Sequence, residues 1–272
     1  MRQIVTILFC ALTVLSFGQK NENKEPNFDI ADFSEKYKVA VWLFNYDRVA
    51  WITTDSVKIQ DKKELERLGD EWFCYKDQGN TWHAVYGKYV NRAYDLIFHF
   101  TADENFKVKR INDAVDTLIL NSYSRALITA NKQISAIKAK VKIGFNQYIK
   151  QNEDKTFSVW IFPGLQSNGV AVYGGEFIYT IDQSGNTILK DDSYFQGSFR
   201  GFNVDNTKDI RLSYPEIDKP TLGAVFFVWY YFQYFKSIYI DCSKSNSTLT
   251  KDIDNKFHWI HTVKEPEKEE KD

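Results

Sequence analysis

Apolar side chains recur along this chain in two rhythms, one helical and one extended. Residues 28–46 carry Phe28, Ile30, Phe33, Tyr37, Val41 and Phe44 at steps mostly of three or four, which predicts an amphipathic helix capped by Asn27 or Asp29. The next stretch, R-V-A-W-I-T-T at 48–54, reads as a strand. Residues 62–68 predict a short helix stopped by Gly69. From residue 71 the rhythm shortens to two. E-W-F-C-Y-K, the turn D-Q-G-N and T-W-H-A-V-Y-G-K-Y form a strand–turn–strand pattern, and 94–101 and 106–111 add further strands.

Helical spacing returns over residues 111–140, through Val115, Leu118, Ile119, Ala126, Ala130, Ile134 and Ile137. Asp113 at its start, Asp116 in its first turn and Lys132, Lys138 and Lys140 near its end match the helix dipole. This predicts the longest helix, a central one joining two units. Strands are expected at 145–149, 156–162, 170–182, 186–190, 194–203 and 210–214, with Gln183-Ser184-Gly185 marking a hairpin, and a last strand at 257–263. The fold class that follows is α+β, mostly antiparallel sheets with packed helices. The units are 28–110, smaller, and 111–263, larger.

One stretch breaks both rhythms. Residues 224–235, A-V-F-F-V-W-Y-Y-F-Q-Y-F, contain a single strongly polar side chain, Gln233. Aromatic and β-branched residues favour a strand, but strands seldom exceed about 8 residues. Pro220-Thr221 supplies a helix start and Lys236-Ser237 an end, so a buried helix over 222–236 is expected, followed by a short strand at 238–241. Such a stretch is either the centre of a core or, with one face open, a binding surface.

Composition then narrows the setting. Residues 1–18 pair Arg2 with an apolar run from 4 to 17, the form of a cleavable leader, too short for the roughly 20 residues of a membrane span. Residues 19–27 read as a tether and 264–272, K-E-P-E-K-E-E-K-D, as a disordered charged tail. An exported chain in the periplasm or outside the cell is expected. The 35 basic and 36 acidic side chains nearly balance, which argues against nucleic acid as the main partner. Cys74 and Cys242 remain after the leader, either bridged or as two buried thiols.

Candidate chemistry is sparse. His258 and His261 stand three apart in a predicted strand and so face opposite ways, against a shared metal. His83 and His99 sit on neighbouring strands. Ser167 in G-L-Q-S-N-G misses the spacing and context of a nucleophile elbow. Asp191-Asp192 and Glu153-Asp154 read as solvated loop acids, and Tyr173-Gly174-Gly175-Glu176 as a bulge or twist in a strand. No catalytic, binding or metal residue is assigned, and no cofactor is expected. From Gly174 the order is a G-G-E strand, the hairpin at Asp182–Gly185, L-S-Y-P at 212–215, then Pro220-Thr221 and a helix. This order resembles the JAMM-type metalloproteases, with Leu212 and Tyr214 where two histidines would stand, Thr221 for a serine, Ala224 for an aspartate and Glu176 for a glutamate. The resemblance implies a ligand-free, non-catalytic relative of that fold over residues 170–242.

The reading that results is an exported envelope protein that binds or builds, with glycans or peptides as ligands and Trp51, Trp72, Trp82, Tyr86, Trp160 and Trp229 as candidate contacts. The alternative is an envelope hydrolase whose residues meet only in space. A cleft joining a histidine, a carboxylate and a nucleophile would favour the enzyme, and an exposed aromatic shelf the binder.

Overall fold

The computed structural model describes residues 30–113 and 115–264. The leader, the tether, residues 265–272 of the tail and the caps proposed at Asn27 and Asp29 lie outside the described residues.

The chain opens with α1 (Ile30–Lys58), 29 residues long. The strand expected at 48–54 is therefore part of this helix. Leu43, Tyr46, Ala50, Thr53 and Val57 are buried and continue one stripe at steps of three and four, so packing overrides the strand propensity of V-A-W-I-T-T. The Thr53 hydroxyl bonds back to the Val49 carbonyl at 2.7 Å. A short α2 (Lys62–Leu65) follows, capped by Asp61. Then come β1 (Glu71–Lys76), β2 (Trp82–Val90), β3 (Ala93–Ala102) and β4 (Val108–Ile111), an antiparallel meander in the order β1-β2-β3-β4.

The long central helix expected over 111–140 is not formed. Asp116, not Asp113, caps α3 (Thr117–Gln133), taking the Leu118 amide at 2.8 Å. Ile134 leaves helical geometry (φ −97°, ψ 6°) to bury its side chain, and only a four-residue α4 (Ser135–Lys138) continues. The longest helix among the described residues is α1.

A second sheet holds β5 (Phe145–Gln151), β6 (Phe157–Pro163), β7 (Val170–Ile181) and β8 (Ile188–Asp191), with β9 (Tyr194–Asn203) also on β7. The register of β7 against β9 shifts between Tyr173 and Gly175, the bulge the two glycines suggest. Gly174 has φ +108°, and a Cβ there would lie 2.6 Å from the Ser198 carbonyl oxygen.

The third sheet runs β10 (Asp209–Tyr214), β11 (Ser237–Cys242), β12 (Ser245–Lys251), β13 (Phe257–Val263), with β10 and β11 parallel. Strand β12 is absent from the sequence reading because its buried positions are Ser245 and Ser247. These serines satisfy themselves on the Asp218 carbonyl and the His261 ring, so inward-facing small polar groups hide the alternation.

Between β10 and β11 lies the aromatic stretch. It forms α5 (Leu222–Tyr231), then a 3-10 turn at Phe232–Tyr234, ending the helix five residues before Lys236. Thr221 caps it, its hydroxyl accepting the Ala224 amide at 3.1 Å. Leu222, Ala224 through Val228 and Tyr231 are buried. At roughly 1.5–3 kcal/mol per large side chain, this helix anchors its surroundings.

Alternating side chains build two cores. Phe73, Val85, Ile149, Val159 and Ile161 pack with α3, through Leu120, Tyr123 and Leu127. The opposite faces, through Cys74, Ala84, Tyr86, Tyr148, Trp160 and Phe162, pack with α1, α5 and the third sheet. Rings link α1 to α5, Tyr37 to Trp229 at 5.1 Å and Phe44 to Tyr230 at 5.8 Å between centroids. Residues from both sides of position 110 share each core.

Candidate functional site

Two ends of α5 carry the features that a ligand would meet. At its N-terminus, β7 brings Glu176 under the helix. Its Oε2 accepts from the Thr221 hydroxyl at 2.7 Å and the Gly223 amide at 2.5 Å. The Tyr214 ring lines the same small cavity as Glu176 and Gly223. Three residues placed apart by the sequence thus form one group, while Leu212 and Ala224 are buried core residues. Burial raises the Glu176 carboxyl from 4.5 to about 7, opposed by the Thr221 and Gly223 bonds and by the Lys36 charge. Beneath it lies an apolar cavity of about 20 Å³ walled by Tyr173, Phe226, Phe227 and Tyr231. Above it opens a cleft of about 1030 Å³ lined by Tyr194, Glu216 and paired charges. Asp32 bridges Lys36 and Lys219, each at 2.8 Å, and Lys190 meets Asp192 at 2.9 Å. Chemically, this group can hold or pass a proton at the floor of a polar cleft.

At the other end of α5, the third sheet opens. Strands β11 and β12 pair only from Tyr239↔Thr248 to Asp241↔Asn246. Leu249, Thr250 and Lys251 pair with β13, and Ser237 and Ile238 with β10. The parting leaves a groove of about 620 Å³ against the end of the helix, lined by Phe232, Tyr239, Phe257 and Ile260 with Gln233, Lys236, Thr248, Thr250 and Lys251. Phe232 and Phe257 are half-buried and meet edge to face at 4.7 Å. The Lys251 ammonium stands over both rings, 5.4 and 4.9 Å from their centroids. So the aromatic segment is mostly core, with its last turn at a surface.

The remaining candidates fall elsewhere. Trp82, Tyr86 and Trp160 are buried, Trp72 and Trp229 half-buried, and Trp51 is 56% exposed. His258 and His261 do face opposite ways: His258 meets Asp252 at 2.7 Å, and His261 meets Ser247 at 2.8 Å. His83 and His99 come together, Nδ1 to Nε2 at 2.8 Å, with Asp77 3.2 Å from the far nitrogen of His83. Burial, with His83 adding to it, lowers the His99 pKa. This row lies on the β2–β3 face, away from both openings. Cys74 and Cys242 are free and buried, and burial pushes the Cys242 thiol up to about 12. Among the described residues, no three His, Cys, Asp or Glu side chains gather to hold a metal ion.

Sequence reasoning missed Asp47. It is buried on α1 and accepts from the hydroxyls of Tyr230 at 2.6 Å and Tyr148 at 3.1 Å and from Asn146 at 3.2 Å, tying α1 to α5 and β5. Burial raises its pKa against these bonds. A lone acid inside a helical stripe was the available signal. No helix of the described residues is long and apolar enough to cross a membrane. No family model matches the chain, and neither a curated protein nor a solved structure matches it significantly.

Proposed function

We propose that this chain is an exported cell-envelope protein that binds a glycan in the groove between α5 and the parted strands β11 and β12. The groove's lining carries the reading. Half-buried rings offer flat apolar faces, while Gln233, Thr248, Thr250 and two lysines surround them with donors and acceptors, the mix a sugar chain requires. Peptides are the other ligand class. Titration of the full chain with neutral oligosaccharides and with extended peptides, followed by calorimetry, tests the assignment. Sugar binding that Phe232→Ala and Lys251→Ala each weaken about tenfold supports it. Binding of peptides alone, or sugar binding indifferent to both changes, overturns it.

A second reading, an envelope hydrolase, draws on one observation: a buried carboxyl at about 7 on the floor of a large cleft suits proton transfer. Under it, hydrolysis of the bound ligand follows a pH limb near 7 that Glu176→Gln removes.

A further inference from the structure

On the α3 side of the molecule is a concavity of about 520 Å³ bounded by Tyr89, Arg92, Arg125, Thr129, Lys132 and Asn186. Its charged members are all cations, and no carboxylate lines it. None of the ion pairs among the described residues includes Arg92, Arg125 or Lys132. Like charges lining one concavity repel, and an anion placed among them offsets that repulsion.

The frame is rigid. Arg125 donates Nε to the Ser184 carbonyl at 2.6 Å and Nη2 to the Ser122 hydroxyl at 3.3 Å. Thr129 donates to the Gly185 carbonyl at 2.8 Å, clamping the 182–187 turn to α3. One edge of the guanidinium is thus spent on orientation, and its other N–H groups stay available for a ligand. Arg92 sits at φ +66°, after Asn91 at φ +53°, in the two-residue turn joining β2 to β3. That second position favours glycine, yet it carries a long cation that reaches the concavity.

We infer that this concavity is an oxyanion site, built to hold a phosphate or sulfate group on a sugar-sized molecule. Arginine forks match the oxygens of either group, and the volume exceeds what a bare ion fills. The site is separate from the groove and stands whether or not the groove binds sugar.

The test is calorimetric titration of the full chain at low salt with inorganic phosphate, inorganic sulfate, glucose 6-phosphate, glucose 6-sulfate and glucose. Parent protein is compared with Arg92→Gly and Lys132→Gln, both exposed positions, the first relieving a strained turn. An ester binding more tightly than its free ion, weakened about tenfold by each change and by added salt, supports the site, and phosphate against sulfate then names the group. No ester binding by about 10 mM, binding equal to that of glucose, or affinities unchanged in both variants overturns it.

Discussion

Glu176 shows how far one side chain can be removed from its ordinary chemistry. It is the buried acid at the start of α5, and its pKa stands at about 7 against 4.5 for an open carboxyl. The folded chain therefore holds this proton more tightly than the unfolded chain does. The stability that the group contributes is complete below pH 4.5 and is lost as pH rises toward about 7, a loss of about 3 kcal/mol. Glu176→Gln keeps an oxygen for Thr221 and Gly223 but cannot ionise. Urea denaturation across this window is expected to show the variant gaining on the parent as pH rises. A difference that stays flat with pH would remove the raised pKa from consideration. His99 works in the opposite direction, since its lowered pKa costs stability as pH falls below 6.5.

At the scale of elements, α5 starts where it does because three residues agree. Thr221 caps the first turn, Glu176 takes the Gly223 amide, and Gly223 has no Cβ to block the approach. A Cβ there would lie 2.1 Å from Glu176 Oε2. Helix propensity alone assigns Gly223→Ala a gain of about 0.5–1 kcal/mol. Contact with the buried carboxyl reverses the sign, and a loss of about 1–3 kcal/mol is expected by denaturant unfolding. Adding Glu176→Ala should recover most of the loss, and a stabilised single variant would refute the contact. The cap at Thr221 and most strands were legible because turn residues and alternation mark them locally. The rest of α1 was not, because V-A-W-I-T-T satisfies a strand locally and only distant packing of Ala50, Thr53 and Val57 decides otherwise. Nor was β12, whose inward serines carry no apolar signal.

Across the whole molecule, the α+β class was readable from alternation and turn residues. The sequence places a joint near residue 110. In the structure, Phe73 stacks on Tyr123 at 4.9 Å, and Tyr46 meets Tyr148 at 5.4 Å, so rings from both sides interlock. Asp47 adds hydrogen bonds to Tyr148 and Tyr230. Pieces that share cores in this way should melt together. Calorimetry is expected to show one transition whose calorimetric and van't Hoff enthalpies agree, and two separable transitions would instead support the two-unit division. The groove and the candidate sites were illegible for a related reason. Phe232, Lys251 and Phe257, or Arg92, Arg125 and Lys132, become neighbours only once strands part and turns dock.

The two thiols acquire a meaning from this interlocking. Cys74 lies under α1, its amide donating to the Tyr46 hydroxyl, and Cys242 ends β11 inside the third sheet. Neither side chain reaches solvent. In an oxidising surrounding, folding itself becomes the shield: once the sheets close, no oxidant touches either sulfur, and each opening of the structure exposes them briefly. The cysteines thus act as a built-in clock for breathing motions, and the rate at which a thiol reagent consumes them reads how often this fold comes apart.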